Sequence, residues 1–356
     1  MKLEHGWRMP AEWALHQCCW IAWPCREATF HGRFEEAKRD VAAVARSIAS
    51  AENVKLLVRE ADFEEATQLC GPAVQLVKFE LSDSWTRDSG PSFVLNELNE
   101  LAGVDWYFNA YGSLALQEDG SPVSDPEFAN DQTLAKRILE SEEIPRLIAP
   151  LVLEGGSIHV DGSGTLLTTE QCLLSRNPGE TQLEIEGFLS EFLGISKPIW
   201  LGEGLQDDET NGHVDNLACF VNEGVVLALN CEDSQDPNYE PLKDNLQRLR
   251  LATDAHGRSL EVFTINQPPA AFRKNGDRLS QSYLNFYLAN GAVICPAFGY
   301  TTEDESAVER LCSLFPDRRV IPVSISNLIH GGGGIHCITQ QQPVGRNSVR
   351  SEERRV

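Results

Sequence analysis

Three distant segments of this chain echo one another, and the echo limits the available folds more than any single residue does. Glu154 to Gly162 reads EGGSIHVDG, His330 to Ile338 reads HGGGGIHCI, and Thr210 to Asn216 reads TNGHVDN. Similar segments at long intervals imply repeated units folded about a common axis. At ~70 residues per unit, the 356-residue chain would hold about five of them. A single domain of this length requires such sharing, because an isolated core stops growing at roughly 250–300 residues.

Between the echoes, helix and strand patterns alternate. Phe34 to Ala51 carries apolar residues at Val41, Val44, Ala45 and Ile48, which is one face of a helix. Val54 to Arg59 reads as a strand, Asp62 to Cys70 as a helix and Val74 to Phe79 as a strand. The rhythm returns with a helix over Gln182 to Leu193, strands at Pro198 to Trp200 and Val225 to Leu229, a helix over Pro241 to Ala252 and a strand at Leu260 to Ile265. It closes with strand Ala292 to Pro296, helix Glu303 to Leu314 and strand Val320 to Pro322. The pattern predicts an α/β fold of short strands forming one domain over residues 1–343. Gln117 to Asn130 reads as a long surface loop or lid. Residues 344–356 are charged and patternless, and are expected to be a disordered tail.

The net charge of −23 argues against nucleic acid and anionic membrane as partners. It suits a small cationic substrate, although solubility alone accounts for the same number. No run of ~18 apolar residues is present to span a membrane, and the opening MKLEHGWRMPAEW lacks an apolar signal core. The ten cysteines include no CxxC pair, so reduced thiols in a cytoplasm are expected. Homo-oligomerisation is left open.

The run Gly331 to Gly334 precedes Ile335, His336 and Cys337. Consecutive glycines are entropically costly, so they imply tight turns or close backbone approach, with amides free to face developing negative charge. A phosphate loop would need a Lys-Ser/Thr ending, which is absent. Cys337 is therefore a candidate nucleophile, with a buried structural thiol as the competing reading. His213 and Asp215 are spaced i, i+2, which on a strand brings both to one face. His159 and Asp161 share that spacing, so spacing does not separate the pairs. His336, if on a strand, would point away from Cys337 and be structural. Asp88, in WTRDSGP beside Trp85, stands at a turn suited to a pocket mouth, or else caps that turn and pairs with Arg87. Glu154 ends an apolar strand before Gly155-Gly156. Separate carboxylates, one His and one Cys would suit a guanidinium, whose planar N–H fork binds carboxylates and whose central carbon is open to a thiolate.

The motifs RMPAEW, DSWTRDSGP, LEGGSIHVDGSGTLLTTEQCLL, ETNGHVDNLACFV and GGGGIHCITQQQP together resemble the agmatine deiminase family of the pentein superfamily, from Arg8 to about Pro343. The resemblance implies a five-bladed α/β propeller with its site on the central axis. It implies Cys337 as nucleophile, His213 as general acid and base, Glu154 as the acid that orients it, and Asp88 and Asp215 as guanidinium-binding carboxylates, with Trp85 beside them. It also implies no metal or organic cofactor, and agmatine as substrate in polyamine synthesis. Three alternatives stand beside it: a deiminase of arginine or peptidyl-arginine, a metal hydrolase using His159, Asp161, His213 and Asp215, and a non-catalytic binding protein.

Overall fold

A computed structural model describes residues 6–346. Residues 347–356, most of the expected disordered tail, lie outside the described residues. The repeating unit is strand, strand, helix, strand: the first two strands pair antiparallel and the second pairs parallel with the third. One unit comprises Ser92–Leu95, Leu101–Tyr107, helix Leu134–Ser141 and Arg146–Val152. The next comprises His159–Val160, Thr165–Thr169, helices Glu170–Arg176 and Gln182–Leu193, and Lys197–Leu201. The third is Ala218–Asn222, Val225–Asn230, Tyr239–Leu251 and Glu261–Asn266. The fourth is Tyr287–Ala289, Ala292–Ala297, Thr301–Leu314 and Arg319–Ser324.

The fifth unit is completed from both ends of the chain. Strand Thr339–Pro343 pairs antiparallel with His16–Ala22, with Cys19 opposite Gln341 and Trp20 opposite Gln340. His16–Ala22 then pairs parallel with Val54–Val58 across helix Phe34–Ala49. These are five separate small sheets, repeated units as the echoes suggest and the α/β propeller that the resemblance implies.

Local chemistry sets the element ends. Helix Gln182–Leu193 begins at a capping box, in which the Thr181 hydroxyl accepts from the Glu184 N–H and the Glu184 carboxylate accepts from the Thr181 N–H. It stops at Gly194, which adopts a left-handed conformation at φ 71°. Helix Phe34–Ala49 fully buries the expected face, Val41, Val44, Ala45 and Ile48. Burying each of the larger aliphatics there contributes roughly 1.5–3 kcal/mol.

The segments leading into the five first strands meet at the centre. Asp88 Oδ1 accepts from the Gly156 N–H at 2.9 Å, and Glu154 Oε2 lies 3.3 Å from His213 Nε2. The Asn216 carbonyl accepts from Ser282 Oγ at 2.9 Å, and Asn285 Oδ1 accepts from the His336 N–H at 2.9 Å. The Cys337 carbonyl then accepts from the Arg87 N–H at 3.1 Å. Five units thus join in a ring of hydrogen bonds, and each delivers polar side chains to the axis.

Candidate active site

The ring brings Asp88, Glu154, His213, Asp215 and Cys337 together from residues spread over most of the chain. Their local setting differs from the strand reading. Val214–Asn216 is a short 3-10 turn with His213 at its start, and Cys337 sits in a turn that ends before Thr339. Strand alternation therefore does not orient His213 and Asp215; a three-residue turn does. Asp88 lies in the one-turn helix Thr86–Ser89. Arg87 does not pair with it, but points the other way to Glu12, Nη1 to Oε1 at 3.2 Å.

Gly156 marks the point of convergence. A Cβ there would fall 2.6 Å from His213 Nδ1 and 2.9 Å from both Asp215 Oδ2 and Asp88 Oδ1. The Gly331 to Gly334 run is likewise a matter of close approach. A Cβ on Gly333 would meet the Trp85 ring at 2.5 Å and Cys337 Cβ at 2.9 Å, and one on Gly334 would meet Asn285 Oδ1 at 2.5 Å. Gly331, Gly332 and Gly333 form one wall of a cavity of about 440 Å³ that reaches Cys337 and Asp88, with Trp85, Tyr111 and Phe128 as aromatic walls. Phe128 belongs to the expected loop 117–130. Asp83 and Glu209 add carboxylates to the lining.

Cys337 Sγ accepts from Asn285 Nδ2 at 3.2 Å and lies 3.6 Å from Asp215 Oδ2. Burial, then the charges of Asp215 and Asp88, push its thiol well above the ordinary range, against the Gly334 amide and Asn285. The unliganded site therefore holds a thiol rather than a thiolate. Burial likewise raises Asp88 to about 6, with Asp215 and Glu154 adding to it and His213 opposing. Asp88 Oδ2 accepts from Tyr111 Oη at 2.9 Å. Burial disfavours a charged His213, but Asp88, Cys172 and Glu154 outweigh it and raise its pKa well above the usual value. Glu154 is itself anchored by Arg176, whose Nε donates to Oε1 at 2.8 Å. His213 Nδ1, 3.8 Å from Asp88 Oδ1, and Asp215 Oδ1 are buried without a hydrogen-bond partner. Unpaired buried polar atoms are costly.

A second layer lies beneath. His336 Nδ1 is 2.9 Å from Asp215 Oδ2, and its Nε2 is 2.8 Å from Glu12 Oε1. Both partners are carboxylates, so both ring nitrogens must carry protons, and His336 is an imidazolium. Burial and Arg87 oppose that charge, but Glu12 and Asp215 raise the His336 pKa above its usual value. Burial would raise Asp215, yet His336 first and then His213 hold it below the ordinary carboxylate range. The sequence reading took His336 as structural and pointing away from Cys337; its Nδ1 instead meets the same Asp215 Oδ2 that lies 3.6 Å from Cys337 Sγ, and it positions Asp215. His336→Ala is expected to leave two buried carboxylates without their shared cation. Unfolding free energy should fall by about 3–5 kcal/mol in denaturant melts, and KM should rise.

Glu12, Tyr111, Arg176 and Asn285 were not singled out from sequence. Only Glu12 carried a signal, as the acid of RMPAEW. His159 and Asp161 stand apart from the centre: His159 Nδ1 accepts from the Phe220 N–H and its Nε2 faces Glu12, while Asp161 Oδ1 accepts turn amides of Ser163 and Thr165. The proposed metal set of His159, Asp161, His213 and Asp215 is therefore not assembled. Among the described residues, the group with metal-ligand spacing is Glu154, Cys172 and His213.

The sequence matches the Porphyromonas-type peptidyl-arginine deiminase family over residues 8–343. The chain belongs to that family. It is 40% identical to the agmatine deiminase of Medicago truncatula over 368 residues, covering 95% of this chain and 97% of the relative. It is 40% identical to the agmatine deiminase of Pseudomonas savastanoi pv. phaseolicola over 359 residues, covering 95% and 96%. Its fold superposes on the agmatine deiminase of Enterococcus faecalis with a TM-score of 0.88 and 35% identity, covering 95% of this chain and 96% of that one. This deiminase-family enzyme carries its candidate site on the propeller axis, as the resemblance predicts. No helix among the described residues is long and apolar enough to cross a membrane.

Proposed function

We propose that this chain hydrolyses agmatine to N-carbamoylputrescine and ammonia through a covalent amidino-cysteine on Cys337, a step of polyamine synthesis in the cytoplasm. The observation that carries this reading is the convergence of Asp88, Asp215 and His213 on one point beside the Cys337 thiol. A planar guanidinium fits between the two carboxylates and offers a donor to the unpartnered Asp215 Oδ1. Its charge offsets the two anions that, after burial, hold the thiol up. Substrate binding thereby favours the thiolate, and the thiol proton passes to solvent.

The thiolate attacks the guanidinium carbon, a C–S bond forms, and the carbon becomes tetrahedral. The C–N bond to the departing amine breaks as protonated His213 gives up its proton, releasing ammonia and leaving a cationic amidino-thioether. His213, now neutral and oriented by Glu154, takes a proton from water. The resulting hydroxide attacks the carbon, the C–S bond breaks with its electron pair on sulfur, the hydroxyl proton passes to that thiolate, and the ureido product leaves. Glu209 lines the same cavity; its Oε1 pairs with Arg273 Nη2 at 2.9 Å, and its other oxygen suits the distal ammonium of agmatine. The ten cysteines form no disulfide among the described residues, which fits a reducing cytoplasm.

Ammonia release over agmatine, arginine, a peptidyl-arginine and butylguanidine tests the assignment. Agmatine should give the highest kcat/KM, and chelators should not lower it. Preference for peptidyl-arginine would instead support the reading suggested by the family's description. The thiol also has a pH signature. Because its pKa lies above the ordinary thiol range, Cys337 of the free enzyme should react slowly with iodoacetamide at pH 7 and faster as pH rises beyond 9. A small cationic haloamidine should alkylate it far faster at pH 7, because it brings its own counter-charge. Equal rates for neutral and cationic reagents would contradict the carboxylate field.

A further inference from the structure

Cys172 is a second buried thiol at the centre, and the deimination steps do not use it. It lies in the first turn of helix Glu170–Arg176, whose N-cap hydroxyl, that of Thr169, accepts from its N–H at 3.1 Å. That cap directs Sγ at the general-acid pair: Cys172 Sγ is 3.7 Å from Glu154 Oε2, which is 3.3 Å from His213 Nε2. The three donor atoms all lie within 4.8 Å of one another, and all three residues are buried.

This is the donor set and nearly the spacing of tetrahedral zinc. Zn–N, Zn–O and Zn–S bonds of about 2.0–2.3 Å at tetrahedral angles place the donors roughly 3.4–3.6 Å apart. The outer shell is also present. Arg176 holds Glu154 Oε1, so Oε2 is left as a single, oriented ligand atom. A thiolate, a carboxylate and a neutral imidazole balance a divalent cation, which removes the main electrostatic objection to burying it. His213 adjoins the cavity through Asp88, Tyr111 and Thr210, which line it. Substrate in that cavity would cover the approach to His213.

We propose that Glu154, Cys172 and His213 form an inhibitory site for a thiophilic divalent cation of the zinc class. Binding displaces the Cys172 thiol proton and the His213 Nε2 proton to solvent, and ties up the general acid and its orienting carboxylate. The inhibitory consequence rests on the deiminase reading; the binding site does not.

Two measurements on the full chain, freed of metal by chelator and dialysis, test it. Zn²⁺ should inhibit ammonia release, agmatine should protect, and chelator should restore the rate. Cys172→Ser, each rate being compared with the variant's own zinc-free rate, should need on the order of 100-fold more Zn²⁺ for half inhibition; Cys172→Ala serves if the serine variant fails to fold. Independently of turnover, Co²⁺ added to Cys337→Ser protein should give a near-ultraviolet thiolate-to-cobalt band that is absent when Cys172→Ser is added. If Cys172→Ser is as zinc-sensitive as wild type, or Cys337→Ser protein shows no such band, the site is wrong. A band without any deiminase activity in wild type would keep the metal site and remove the deiminase reading.

Discussion

Cys337→Ser is expected to abolish turnover, by at least about 10⁴-fold in kcat, with the fold intact. The side chain is buried in a turn whose shape is fixed by its neighbours rather than by sulfur. Asn285 Oδ1 accepts from the His336 N–H, Arg87 donates to the Cys337 carbonyl, and the glycine wall rests on Trp85. Serine keeps that geometry and its hydrogen bonds. What it lacks is an anion accessible near neutral pH, because a hydroxyl here has no base beside it; the nearby His213 is already charged. Circular dichroism and melting should match wild type while ammonia release vanishes. Near-wild-type turnover from the serine protein would remove the nucleophile and the mechanism together. Cys18 and Cys19, which lie in strand His16–Ala22, should tolerate serine with far smaller losses in activity.

Asp88→Asn and Asp215→Asn should each lower kcat/KM for agmatine by roughly 10²- to 10³-fold, the equivalent of about 3–4 kcal/mol, for leaving a buried cation with one partner removed. An amide also turns donor groups toward a substrate that has only donors to offer. The two positions differ in their support. Asp215 is held by His336, itself held by Glu12, so Asp215→Asn also leaves the His336 cation facing an amide and should cost stability as well. Asp88 is held by the Gly156 amide and Tyr111, which are neutral, so Asp88→Asn should lose binding with less change in melting temperature. Calorimetric titration of agmatine and of its neutral ureido product into wild type and both variants separates the two effects. The ureido compound should bind wild type poorly and be less affected by either change. Unaltered agmatine affinity in both variants would contradict the two-carboxylate clamp.

The regular elements were largely legible because their signals are local. Helix Gln182–Leu193 was read to the residue, since Thr181, Glu184 and Gly194 mark its ends within the sequence itself. The five-unit plan was legible from the glycine-His echoes, because each marks a segment that turns at the axis, where a side chain has little room. The turns themselves were misread as strands. Val214–Asn216 is too short for any period to be expressed, so i, i+2 spacing carried no information about facing. The second layer was hidden for a different reason. Glu12 and His336 are 324 residues apart and meet only because the two chain ends complete one unit. Nothing in the local wording of either segment announces that contact. Arg176, Tyr111 and Asn285 are likewise set by the ring of units, not by their neighbours in sequence. The roles of Cys337, His213 and Asp88 came from resemblance; their spatial company is a property of the fold.

The covalent intermediate is the central claim, and intact-mass spectrometry of acid-quenched enzyme addresses it directly. During turnover of agmatine, a fraction of the protein should gain the mass of agmatine less ammonia, and peptide mapping should put that gain on Cys337. Cys337→Ser protein should show none. Steady ammonia release with the enzyme mass unchanged at every quench time, and activity persisting in the serine variant, would contradict the account.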